Sequence, residues 1–226
     1  MSSAALVICS RYEGQLLRWN CRQLAGDDGR RCGATGATFP ARQSVCSDAE
    51  FRGPEQPDGS HPYFAESIDA WVAPFIMAPI NTKNIHRSNF LLGGAYGRDF
   101  QYDEMLVTGT GEVARAAAEA LRGRKAYEIS SPLNPGEGPD LAARQKGFYD
   151  ILFSGQGGGR EGLQLAVNGD QDPGYGSTSK MITQAALCLL ENSEGAGGVW
   201  TPAALLGDAL VGRLQANVGV TFNLIN

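Results

Sequence analysis

The turn Gly33-Ala34-Thr35-Gly36 limits what this chain can fold into, through what does not surround it. It supplies the first two glycines of a dinucleotide-binding turn, which brings a backbone close to a pyrophosphate at a helix N-terminus. The third glycine belongs at position 39, where Phe39 stands. Such a turn also needs a buried apolar strand before its first glycine. Here Gly26-Asp27-Asp28-Gly29-Arg30-Arg31 fills that place, and Pro40 and Arg42 break the helix that should follow. A nucleotide-binding start to the fold is therefore not expected, and no residue is assigned to a cofactor.

Residues 1–50 have neither helical nor strand periodicity. Only Ala4 to Cys9 and Gln15 to Trp19 are apolar runs, each too short to make a core alone. We expect this segment to be loosely ordered and set apart from a domain over residues 51–226. Thirty glycines in 226 residues, close to twice the ordinary share of about 7 %, predict many tight turns.

A net charge of −5 gives neither the footprint of a nucleic-acid binder nor a polybasic membrane patch. The longest apolar stretch, Ala70 to Ile80, is about half a membrane span and holds Pro74 and Pro79. Met1 to Cys9 lacks the basic start and cleavage site of a signal peptide. A cytoplasmic protein is expected, with no nucleic-acid or membrane partner. Five cysteines without a C-x-x-C, and two histidines remote from them, form no zinc pattern, so no metal is expected.

From Phe51 the pattern strengthens. Helices are expected over 81–92, 112–122, 140–146, 179–191 and 202–214. In the fourth, Met181, Ile182, Ala185, Cys188 and Leu189 recur at core spacing. Strands are expected over 100–108, 148–153, 163–167 and 220–225. The glycine run 155–159 should close a hairpin between the middle pair. Hairpins and blocks of helices indicate an α+β class: a mixed, mainly antiparallel sheet covered by helices, with no complete Rossmann domain.

Four segments in order, "PFIMAPINTKNIHRSNFLLGGAYGRDFQYDEM", "GFYDILFSG", "GDQDPGYGSTSKMITQAALCLL" and "GGVWTPAALLGDALVGRL", resemble successive blocks of one family. That family is the saccharopine dehydrogenase-like oxidoreductases, and within it the trans-acting enoyl reductases. The resemblance covers about residues 51–225, the family's second domain. It implies NAD(P)H as cofactor, an α+β unit that helps to form a pocket for a small-molecule or acyl substrate, and a preceding Rossmann domain, which this sequence does not match.

Candidate site residues fall in three clusters. Ser177-Thr178-Ser179-Lys180 satisfies S-x-x-K, which makes Lys180 a catalytic candidate. The S-D-N and K-T-G elements that enzymes of that type also need are absent, so a Ser or Thr helix cap is the stronger reading. The preceding turn leads to a helix N-terminus that could meet an anionic group, so Tyr175 and Ser177 are substrate-binding candidates. On a strand, Tyr102 and Glu104 share one face and Asp103 the other. A Tyr or carboxylate there could donate the proton that follows hydride transfer, which makes both catalytic candidates, and Arg98 beside them is a substrate-binding candidate. Asn81, Lys83, Arg87 and Asn89 form the last cluster. Lys83 and Arg87 are four apart, share a helix face and could hold a carboxylate or phosphate.

Two functions of different class follow. One is the substrate-binding and dimerisation domain of an NAD(P)-dependent reductase, its cofactor held on a separate Rossmann domain. The other is a cofactor-free binding or assembly module. A truncated or mis-started gene product without activity is a third expectation.

Overall fold

The computed structural model describes residues 4–13, 53–123, 138–157, 160–192 and 197–225. In chain order these form β1 (Ala4–Glu13), β2 (Tyr63–Ala65), β3 (Ala70–Pro74), α1 (Ala78–Leu91), β4 (Gln101–Gly109), α2 (Gly111–Ala120) and α3 (Leu141–Lys146). Then come β5 (Phe148–Gly157), β6 (Arg160–Gly169), α4 (Gly176–Glu191), α5 (Pro202–Asn217) and β7 (Val220–Leu224). The strands make one seven-stranded sheet, ordered β2-β3-β4-β1-β5-β6-β7. Only β1 and β4 pair in parallel, with Ala5 opposite Tyr102, and the other pairs are antiparallel. The expected mixed, mainly antiparallel sheet with helices is what forms.

Local chemistry explains most boundaries. The β2–β3 turn closes through Asp69 in the left-handed region, a conformation Asp tolerates. Pro79 sits in the first turn of α1, where its missing N–H costs nothing. The Asp140 carboxylate accepts from the Ala143 N–H at 2.7 Å and starts α3. Thr201 does the same for α5 through Ala204, with Pro202 in the first turn. The expected hairpin between β5 and β6 is present, with strands longer than the apolar runs that marked them.

Three placements differ from the sequence reading. Ala4–Glu13, set apart above with residues 1–50, lies at the centre of the sheet between β4 and β5. Residues 14–50, with Gly33 and Gly36, lie outside the described residues. Residues 63–65 and 70–74, not expected as strands, form the β2–β3 hairpin, because short strands ending at a proline show too little alternation to be read. In α4, Cys188 is buried and Met181 and Ala185 are half-buried, but Ile182 and Leu189 point outwards.

Each face of the sheet has its own core. On one, Ile85 of α1 packs with Phe100 and Tyr102, beside Ile151 and Phe153. Further along, Met181 of α4 and Leu214 of α5 cover Tyr149, Val167, Val218 and Val220. On the other, Val72, Met105 and Ala65 pack with Ile68 and Leu152. Tyr102 and Glu104 thus stand on the α1 face and Met105 on the opposite one, as period-two alternation requires.

Candidate functional site

The residues at the start of β4 make a buried polar assembly. Tyr102 and Glu104 are only 6 % and 7 % exposed, which is unusual for a carboxylate and demands partners. The Tyr102 hydroxyl donates to Glu104 Oε2 at 3.2 Å, and Asn81 of α1 donates through Nδ2 to Glu104 Oε1 at 2.9 Å. Both carboxylate oxygens are satisfied. Burial still holds the Glu104 carboxyl above its ordinary range, against the lowering effect of those two bonds. Burial, followed by the neighbouring carboxylate, also raises the Tyr102 hydroxyl, which keeps its proton.

On the other side of the strand, Asp103 accepts from the Tyr63 hydroxyl at 3.0 Å and from the Glu104 N–H at 3.0 Å. Burial raises its carboxyl too. The segment before β2 is fastened to this strand. Gln56 donates through Nε2 to Phe100 O at 3.2 Å and accepts at Oε1 from Tyr102 N at 3.0 Å, so one side chain stands in for a strand neighbour. Gln56 carries no local signal for this role, since its partners Phe100 and Tyr102 lie more than forty positions away; sequence reasoning missed it. His86 of α1 is buried edge-on to Phe100, ring centres 5.6 Å apart, with Nε2 unpartnered. Burial lowers its pKa.

These groups give opposite pH responses. A histidine whose folded pKa is lowered takes up its proton first in the unfolded chain. Below about pH 6.5 it therefore removes stability as pH falls. A carboxyl whose folded pKa is raised takes up its proton first in the folded chain. Glu104 therefore adds stability as pH falls through its raised value toward 4.5. Against the parent, His86→Leu should lose less stability between pH 7 and pH 5, and Glu104→Gln should lose more. Melting temperatures across that range check both, and three parallel profiles would refute the assignment.

A second assembly surrounds the start of α4. Asp172, 1 % exposed, accepts at Oδ2 from the N–H groups of Tyr175 at 2.7 Å and Gly176 at 3.3 Å. Its backbone oxygen accepts from Ser177 N at 2.8 Å. Asp172 caps this helix, a role the sequence reading gave to a Ser or Thr; the Asp-Pro-Gly turn was the signal for it. The Ser177 hydroxyl is fully buried at 3.0 Å from the Tyr149 hydroxyl, and Lys180 follows on α4, half-buried.

The other candidates are dispersed. Asn89 closes the turn after α1, donating to Gly97 O at 2.9 Å and accepting from Tyr96 N at 2.8 Å. Arg87 lies over the Phe90 ring at 5.5 Å and donates to Val199 O at 3.5 Å, while Lys83 is exposed on α1. Arg98 is exposed in the turn before β4. The structure thus unites Asn81, Tyr102 and Glu104, and places Tyr175 and Ser177 around Asp172. It does not gather Lys83, Arg87, Asn89 and Arg98 into one site.

Neither helix start that resembles a phosphate cradle fits a dinucleotide. At α4 the Asp172 carboxylate already takes the N–H groups that a pyrophosphate would need. Between β4 and α2, Gly109-Thr110-Gly111 is followed by Ala114, with φ of +111° and +77° at the two glycines. The spacing suits the turn, but among the described residues no strand after α2 returns in parallel beside β4, and Glu112 adds negative charge in the first turn. Among the described residues, no group of His, Cys, Asp and Glu could hold a metal ion, and no helix is long and apolar enough to cross a membrane.

The chain is similar to the "putative trans-acting enoyl reductase Rv2449c" of Mycobacterium tuberculosis, 37 % identical over 172 residues. That match takes in 67 % of this chain and 41 % of the relative. The trans-acting enoyl reductase of Mycobacterium bovis is 31 % identical over 194 residues, 72 % of this chain and 46 % of the relative. That of Mycobacterium ulcerans is 31 % identical over 166 residues, 64 % of this chain and 39 % of the relative. The matches span less than half the length of these relatives. No family model and no solved structure matches.

Proposed function

Because the chain is homologous to part of the trans-acting enoyl reductases, we propose that it is the substrate-binding portion of such a reductase, acting on an α,β-unsaturated acyl group. The observation that carries this reading is the homology itself, over a stretch shorter than half of each relative. NAD(P)H supplies the hydride and is assigned to a nucleotide-binding portion outside the described residues. Reduction of an enoyl group also needs a proton at the carbon beside the carbonyl. Glu104 and Tyr102 are assigned to holding that proton, with Asn81 fixing the carboxyl.

The chain alone should bind NADH and NADPH with dissociation constants above about 1 mM, near −4 kcal/mol. Calorimetric titration of each checks this, and micromolar binding to the chain alone would overturn the division of labour. Mixing with the remaining portion of the M. bovis relative should restore reduction of an enoyl thioester. In that mixture Tyr102→Phe and Glu104→Gln should each lower kcat by about 10²-fold or more, the usual worth of general acid catalysis. Failure to bind cofactor or reduce the thioester, alone or mixed, would favour a cofactor-free binding module instead.

A further inference from the structure

β3 does not reach the start of β4. Their pairing runs from Trp71 and Gly109 back to Pro74 and Met105, where β3 ends in a proline without an N–H. β1 pairs along the other edge of β4, from Ala4 and Gln101 onwards. Among the described residues, the edge towards β3 therefore has no neighbouring strand at Tyr102 and Glu104, the two residues assigned to the proton.

Side chains close that edge. Gln56 accepts from Tyr102 N at 3.0 Å and donates to Phe100 O at 3.2 Å, and its amide nitrogen also donates to Pro54 O at 3.1 Å. Asp103 Oδ1 takes Glu104 N at 3.0 Å. The segment that carries Gln56 is itself held in place. Pro57 biases the residue before it towards an extended backbone, and Gln101 Nε2 donates to Glu55 O at 2.9 Å. Gln56 is 5 % exposed, so its bonds are sheltered from water.

Position matters here because the bond that depends on it is long. The Tyr102 hydroxyl reaches Glu104 Oε2 at 3.2 Å, beyond the usual range of about 2.5–3.0 Å for two oxygens. A small turn of the main chain at Tyr102 is magnified at the far end of its ring and opens that bond. Without Gln56 the Tyr102 N–H and the Phe100 carbonyl lose these partners, and the strand start shifts to replace them. We propose that Gln56 is a positioning residue for the proton site: it fixes the main chain at Tyr102 and so keeps the Tyr102 hydroxyl on Glu104. It touches neither the substrate nor the proton. Its purpose rests on the proton role given to that pair above, whereas the bond it keeps does not.

Gln56→Met removes the hydrogen bonds and keeps a similar volume. Carbon-13 NMR of the intact chain, labelled at its glutamate carboxyls, follows Glu104, whose signal is identified by its loss in Glu104→Gln. The Tyr102 bond favours the charged carboxylate, so the Glu104 midpoint should move upwards in Gln56→Met. Asp103 also bears on Glu104, and a Tyr102→Phe background separates the two: there Gln56→Met should add no further shift. Asp140→Ala, which loses stability at the start of α3, should leave the midpoint in place. In the mixture with the relative's remaining portion, Gln56→Met should lower kcat by about 10-fold or more, with KM within about twofold. An unmoved midpoint, an equal shift in the Tyr102→Phe background, or a parental kcat in an active mixture would overturn the proposal. So would unfolding of both Gln56→Met and Gln56→Asn, since Gln56 would then serve the whole fold and not this pair. A moved midpoint with no reduction even by the parent mixture would uphold the hold of Gln56 on the Tyr102 bond and overturn the reductase reading.

Discussion

Deletion of residues 1–13 should abolish cooperative folding, although these residues look dispensable in the sequence. β1 lies between β4 and β5 and is hydrogen-bonded along both edges. Its ladders, at about 1 kcal/mol net per hydrogen bond, are together on the order of the 5–15 kcal/mol that holds a domain folded. Without β1 the sheet becomes two three-stranded halves, β2-β3-β4 and β5-β6-β7, each with a newly bare edge. Bare edges pair with other chains, so aggregation should accompany the loss. Thermal unfolding of the shortened and full chains, followed by circular dichroism and a dye for exposed apolar surface, makes the comparison. A shortened chain that keeps the full chain's melting temperature and sharpness would remove β1 from the centre of the sheet.

The same strand marks where sequence reading stops. The apolar run Ala4 to Cys9 was visible, but its pairing spans about a hundred positions to β4 and more to β5, and no local signal encodes that distance. Elements set by local chemistry were legible: α5 behind Thr201-Pro202, α3 behind Asp140, the β5–β6 hairpin around its glycines. Within the candidate site, alternation placed Tyr102 with Glu104 and against Asp103. The third member, Asn81, could be named as polar but not as the partner of Glu104, because α1 meets β4 only through the tertiary fold. Ile182 and Leu189 were placed in the core because a 3.6-residue period says that a helix has an apolar side, not how many. The sequence grouped Asn81, Lys83, Arg87 and Asn89 by nearness along one helix, but only Asn81 reaches Glu104 in the fold, while Asn89 turns to Gly97 and Tyr96.

Gly147→Ala should destabilise the fold by about 2–5 kcal/mol. Gly147 follows α3 with φ −66° and ψ 155°, a conformation open to any residue, so backbone strain is not the reason. The reason is space. A Cβ there would stand 2.6 Å from both N and Cα of Asp172 and 2.7 Å from its Cβ. Those atoms cannot swing aside as a side-chain tip would. Asp172 N donates to Arg144 O at 3.0 Å, its carbonyl accepts from Ser177, and its carboxylate caps α4. Making room therefore costs overpacking, about 1–3 kcal/mol, and also disturbs a cap worth about 0.5–2 kcal/mol. Asp172→Ala removes the cap without the clash and should cost less, about 1–2 kcal/mol. Gly212→Ala supplies the opposite case: within α5 a Cβ meets nothing within 4 Å, and relief of backbone entropy should stabilise by about 0.5–1 kcal/mol. Urea unfolding should rank the four chains Gly212→Ala, parent, Asp172→Ala, Gly147→Ala, from most to least stable. If Gly147→Ala unfolds at the parent's midpoint, the strand start is not seated on Asp172, and the cap of α4 is not built as described.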